Sequence, residues 1–88
     1  MQKGDLILEM AVGLRGVTFV YRLYESPRAG PRGLRRAYGL EVAEAGGKAV
    51  FFPDVTRLRR EALSITERFA NGAVPPTCAA EVLEDLLS

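Results

Sequence analysis

The chain has 88 residues, with 12 Lys+Arg, 11 Asp+Glu, one Cys and neither His nor Trp. The lack of His excludes an imidazole acid or base, and one Cys excludes an intrachain disulfide and a four-ligand Cys/His zinc site. A hydrophobic share of 48% beside a charged share of 26% is a globular balance, and at this length one domain over residues 1–88 is expected. No apolar run nears the ~20 residues of a membrane span, and acids interrupt the start where a signal peptide would be apolar. A lone Cys suits a reducing cytoplasm, so a cytoplasmic protein with no membrane partner is expected.

Residues 5–12 and 17–24 alternate as strands, joined by the loop Gly13-Leu14-Arg15-Gly16. Pairing Val12 with Val17 sets Met10 against Phe19, Leu8 against Tyr21 and Leu6 against Leu23, one continuous apolar face. The other face carries Ile7, Glu9, Ala11, Thr18, Val20 and Arg22. Residues 25–34 hold two Pro and two Gly, which reads as a mobile loop. A third strand is expected over 36–44 and a fourth over 48–52, turned by Ala45-Gly46-Gly47. Their register sets Leu40 against Phe52, Val42 against Val50 and Glu44 against Lys48, and Pro53 ends the ladder.

The sheet region, 5–52, gives way to a helical region, 56–88. Thr56 is the expected N-cap of a helix whose apolar stripe is Val55, Leu58, Ala62, Ile65 and Phe69. Gly72 suits a left-handed stop, and Pro75-Pro76 opens a second helix with Ala79, Val82, Leu83 and Leu86 on its apolar side. Four strands followed by two helices predict an α+β fold: a four-stranded antiparallel sheet of two hairpins with both helices on one face.

Tyr38-Gly39-Leu40-Glu41-Val42, Asp54-Val55-Thr56 and Glu81-Val82-Leu83-Glu84-Asp85-Leu86-Leu87 are short motifs in the second half. Over residues 36–88 the chain resembles a small bacterial family, a domain of unknown function common in Gram-positive anaerobes. The likeness is to its Tyr-Gly-Ile-type strand, its Asp-Ile-Ser helix entry and its Asp-Val-Val-Glu-Asp-Phe-Leu-type ending. At two places the chain departs from that pattern: Ala70 precedes Asn71 where the family tends to have Cys, and Pro75-Pro76 stands where it often has Ser-Pro. The resemblance implies no activity, and it implies that the chain is complete.

No catalytic, metal or cofactor constellation is expected. Cys78 has no His to activate it, and the glycine turns open onto strands rather than helices. Arg28, Arg32, Arg35 and Arg36 fall within nine residues, and Arg57, Arg59 and Arg60 crowd the helix entry. Cations there oppose the helix dipole, and guanidinium groups bind phosphates well. Ten of the twelve bases are Arg, a bias that a GC-rich genome produces by itself. Glu81, Glu84 and Asp85 share one side of the last helix.

The leading expectation is a non-catalytic protein-interaction or small regulatory module that self-associates as a homodimer. Its interface residues would be Ile7, Val20 and Phe51 on the open sheet face and Glu81, Glu84 and Asp85 on the helix. The alternative is RNA or DNA binding through the seven arginines. Residues 1–60 hold eleven bases and six acids, whereas 61–88 hold one base and five acids, so the net charge of +1 hides a basic sheet and an acidic helical end.

Overall fold

The structure is a computed structural model and describes residues 3–88. Strands β1 (Asp5–Leu14), β2 (Val17–Gly30), β3 (Gly33–Glu44) and β4 (Ala49–Thr56) form one antiparallel sheet in the order β1-β2-β3-β4. Helix α1 (Arg59–Asn71), a 3-10 turn (Pro76–Cys78) and helix α2 (Ala79–Leu87) follow. The α+β fold is as expected.

The apolar side chains of the two helices meet one face of the sheet. Tyr21, Leu40 and Val42 from the strands pack with Ile65 and Phe69 of α1 and with Ala79 and Leu83 of α2. Tyr21 organises this cluster. Its ring stands edge-on to Phe69 at 6.3 Å, and its hydroxyl donates to the Val74 carbonyl at 2.8 Å. That bond satisfies the one polar atom of a wholly buried ring, and burial pushes the phenol up to about 12.

The first hairpin differs from the expected register by two residues. Leu14 pairs with Val17, Val12 with Phe19, Met10 with Tyr21 and Leu8 with Leu23. The turn is Arg15-Gly16 alone, with φ of 53° and 82°. Positive φ at both positions is the two-residue turn whose twist matches the strands, and it draws Gly13 and Leu14 into the ladder. A shift of two leaves every side chain on its expected face. Leu6 and Ile7 are the exceptions. The register slips between Leu6 and Leu8, so Leu6 opposes Tyr24 and Ile7 is the extra residue of a bulge. Ile7 therefore packs with Leu8 against Leu23, Tyr38 and Ala62 on the helix side, not on the open face.

Residues 25–34 are not a mobile loop. β2 and β3 stay paired from Phe19↔Glu44 to Gly30↔Gly33, with Pro31-Arg32 as the turn. Pro27 sits inside this ribbon opposite Arg36. β1 ends at Asp5↔Glu25, so at Pro27 the strand has only one neighbour and the missing N–H is tolerated on the open side. Pro53 likewise does not end β4, which continues to Thr56 through an irregular stretch. There Gly39 alone lies between Leu40↔Phe52 and Tyr38↔Thr56. The β3–β4 pairs Leu40↔Phe52 and Val42↔Val50 are those expected.

The helix entry and exit also differ. α1 starts at Arg59, and Leu58 at its N-cap is 63% exposed rather than part of the buried stripe. Thr56 closes β4 and accepts the Leu58 N–H at 3.2 Å, a local turn instead of a cap. Gly72 has φ −90°, and the left-handed residue is Ala73 at φ 47°. The Val74 N–H returns to the Phe69 carbonyl at 3.2 Å, so the chain closes the helix one residue later than the glycine suggests.

At Gly39 β3 runs close against the side chains of β4. A Cβ there would lie 2.7 Å from Phe51 Cζ and 3.1 Å from the Phe52 carbonyl oxygen. Gly39→Ala should therefore cost about 1–3 kcal/mol through overpacking. Urea titration checks this: a lower midpoint with an unchanged slope is expected, and an unchanged midpoint contradicts the packing described.

Candidate functional site

The open face of the sheet, expected to mix apolar residues with charged ones such as Glu9 and Arg22, carries a charge ladder. Arg22 lies directly across from Glu9 on β1 and from Glu41 on β3. Its guanidinium donates to Glu9 at 3.0 Å and to Glu41 at 3.1 Å. The Lys3 ammonium also pairs with Glu41, and the Tyr24 hydroxyl reaches the same carboxylate at 3.3 Å. Lys3 lies 5.5 Å from the Phe51 ring centre and 5.9 Å from that of Tyr24, and the two rings meet edge-on. These side chains roof Glu41, which is only 6% exposed.

Burial alone would raise the Glu41 carboxyl. The hydrogen bonds from Lys3 and Arg22 outweigh it and hold the group below its ordinary value. Phe51 and Val20 are half-buried, and Phe51 is engaged with Tyr24 and Lys3. With Ile7 turned inward, the residues expected to form an apolar interface do not assemble into one. Glu81, Glu84 and Asp85 are exposed along α2, and no ion pair holds them among the described residues.

Six of the seven arginines separate into two groups. Arg36 and Arg59 are engaged at the base of the ribbon, where both reach Glu25. Glu25 also accepts the Tyr38 hydroxyl at 2.7 Å. That bond, with the two cations, lowers its carboxyl, and the same bond together with burial raises the Tyr38 phenol against the pull of the two arginines. This clamp ties the ribbon to the start of α1.

Arg28, Arg32, Arg35 and Arg57 form the second group, with no acid paired to any of them among the described residues. Arg28 and Arg35 are cross-strand partners on the open-face side of the ribbon. Arg28 donates to the Pro53 carbonyl at 3.4 Å, and Arg35 Nε is shielded from solvent without a partner. Arg32, Arg35 and Arg57 line one open cleft of about 470 Å³ with Gly30, Pro31, Gly33 and Leu34. Leu34 is 80% exposed at its edge. Arg60 is exposed on α1 and joins neither group.

Sequence reading found these arginines as a cluster and missed their arrangement. Arg28 and Arg35 lie equally far from Pro31-Arg32, and that symmetry was the available signal. Lys3, Tyr24 and Glu41 were missed as a unit because their meeting depends on three strands being in register.

Among the described residues no three His, Cys, Asp or Glu side chains gather to hold a metal, and no helix is long and apolar enough to cross a membrane. No family model matches the chain, and no curated protein or solved structure matches it.

The Glu41 ladder yields a prediction about acid. The folded carboxyl lies below the unfolded value of ~4.3, so its contribution is present above that pH and is lost as pH falls through the folded value. Glu41→Gln should cost about 1–3 kcal/mol at pH 7 by leaving Lys3 and Arg22 without their shared anion. It should also flatten the loss of stability between pH 5 and pH 3, about the unfolded value. Urea midpoints at both pH values measure this, and an equally steep acid dependence in the variant would refute it.

Proposed function

We propose that the chain is a non-catalytic binding module whose working surface is the arginine ribbon and whose ligand is nucleic acid, held through its phosphates. The observation that carries this reading is the pair Arg28↔Arg35, like charges directly opposite each other with no acid between them. Such a pair costs a β-ribbon about 0.2–1 kcal/mol by itself. A polyanion removes that cost and gains charge-assisted bonds.

Arg32 at the turn and Arg57 across the cleft extend the cationic surface beyond the pair. Guanidinium forks match phosphate oxygens, and a two-stranded ribbon is narrow enough to enter a groove. Leu34 offers apolar contact beside the charges, as wedges do in minor-groove proteins. The Glu25 clamp favours the same reading, because it holds the base of the ribbon in place before any ligand arrives.

Fluorescence anisotropy with a labelled duplex DNA and a labelled single-stranded RNA tests it. Affinity should fall steeply between 50 and 200 mM salt, a range over which phosphate contacts weaken. Arg28→Gln with Arg35→Gln should reduce the log–log salt slope by about 1.4–1.8, at ~0.7–0.9 per lost contact. Arg36→Gln should do less, since its guanidinium is already engaged by Glu25. Absence of binding to either probe at 50 mM salt would overturn the proposal.

A further inference from the structure

The two sheet edges are unequal. β4 is short, irregular, interrupted by Pro53 and approached by Arg28. β1 is ten residues long and contains no Pro, Lys or Arg. From Leu8 to Leu14 it runs in unbroken register with β2. No backbone hydrogen bond from a loop, cap or helix reaches its outer edge among the described residues. An edge of this kind leaves alternate N–H and C=O groups free to pair, and it lacks the lysines and prolines that most often block pairing.

The side chains argue for a particular occupant. Leu8, Met10, Val12 and Leu14 form one row on the helix side. The first three are half-buried and Leu14 is 49% exposed, so the row is only partly covered by its own chain. On the open face the same stretch carries Glu9, Ala11 and Gly13.

We infer that β1 pairs antiparallel with β1 of a second copy, about a two-fold axis at Ala11, to make a continuous eight-stranded sheet. This register uses the whole regular stretch. It places Leu8 against the partner's Leu14 and Met10 against the partner's Val12, which covers the exposed end of the row. Glu9 meets the partner's Gly13, so no like charges face each other. Beyond the regular stretch the partner's Asp5 falls beside the Arg15-Gly16 turn, so opposite charges meet at both ends of the interface. Registers displaced by an odd number of residues would set apolar side chains on opposite faces. The register centred on Glu9 would set two carboxylates together.

Sedimentation velocity and light scattering at micromolar concentration test this, independently of nucleic-acid binding. The wild-type chain should show twice the 9.6 kDa of one protomer. Ala11→Lys sets two ammonium groups across the axis and should halve the mass, with the circular dichroism spectrum unchanged. Gly13→Lys, opposite the partner's Glu9, should leave the dimer intact. Should Ala11→Lys unfold the chain, Ala11→Cys in a Cys78→Ser background decides, since it should form a covalent dimer on oxidation and Glu9→Cys should not. A monomeric wild type at 100 µM, a dimer indifferent to Ala11→Lys, or equal cross-linking at Glu9 would each overturn the inference.

Discussion

The pairing of β2 with β3 is the constraint on which the rest of the molecule depends. Twelve cross-strand pairs run from Phe19↔Glu44 to Gly30↔Gly33. The first half of the ladder is the centre of the sheet. It sets Tyr21 and Val42 under the helices and Arg22 beside Glu41 on the opposite face. The second half outlasts β1 and becomes a two-stranded ribbon carrying Arg28 and Arg35. One hairpin therefore supplies both the core and the cationic surface, and an error of register would disturb both.

Two carboxylates adapt that hairpin to its different surroundings. Glu41 is buried on a face that no helix covers, and it is neutralised by Lys3 and Arg22. A buried charge without such partners would cost several kcal/mol, so the ladder is a condition for closing that face rather than an ornament to it. Glu25 is the corresponding group at the base of the ribbon, where it gathers Tyr38, Arg36 and Arg59. Beyond this clamp Arg28, Arg32 and Arg35 have no acid paired to them among the described residues. The change from compensated to uncompensated charge occurs along a single strand, and under the proposed function it marks where scaffold gives way to binding surface.

The sequence made the element types, their order and the β3–β4 register legible, because alternation and helical spacing are local signals. It did not make the length of the ribbon legible. Pro27 and Pro31 read as breakers only if every strand needs donors on both sides, and Pro27 lies where one side is open. The bulge at Ile7 left no trace in the alternation, because Leu6, Ile7 and Leu8 are all apolar and any of them fits the inner face. The ion ladder required three strands at once. The two residues of the candidate interface differ from expectation for different reasons: the bulge turns Ile7 to the helix side, whereas Phe51 keeps its outward position and is half-covered by Lys3 and Tyr24.

Cross-strand proton contacts across the ribbon, measured by nuclear Overhauser spectroscopy on the free protein, test the central claim most directly. A paired ribbon predicts contacts between the backbones of Arg28 and Arg35 and of Ala29 and Leu34, with strand-like shifts through residues 26–36. Coil-like shifts across that segment, with no cross-strand contacts, would contradict it and leave the arginines without the fixed arrangement on which the proposed role depends.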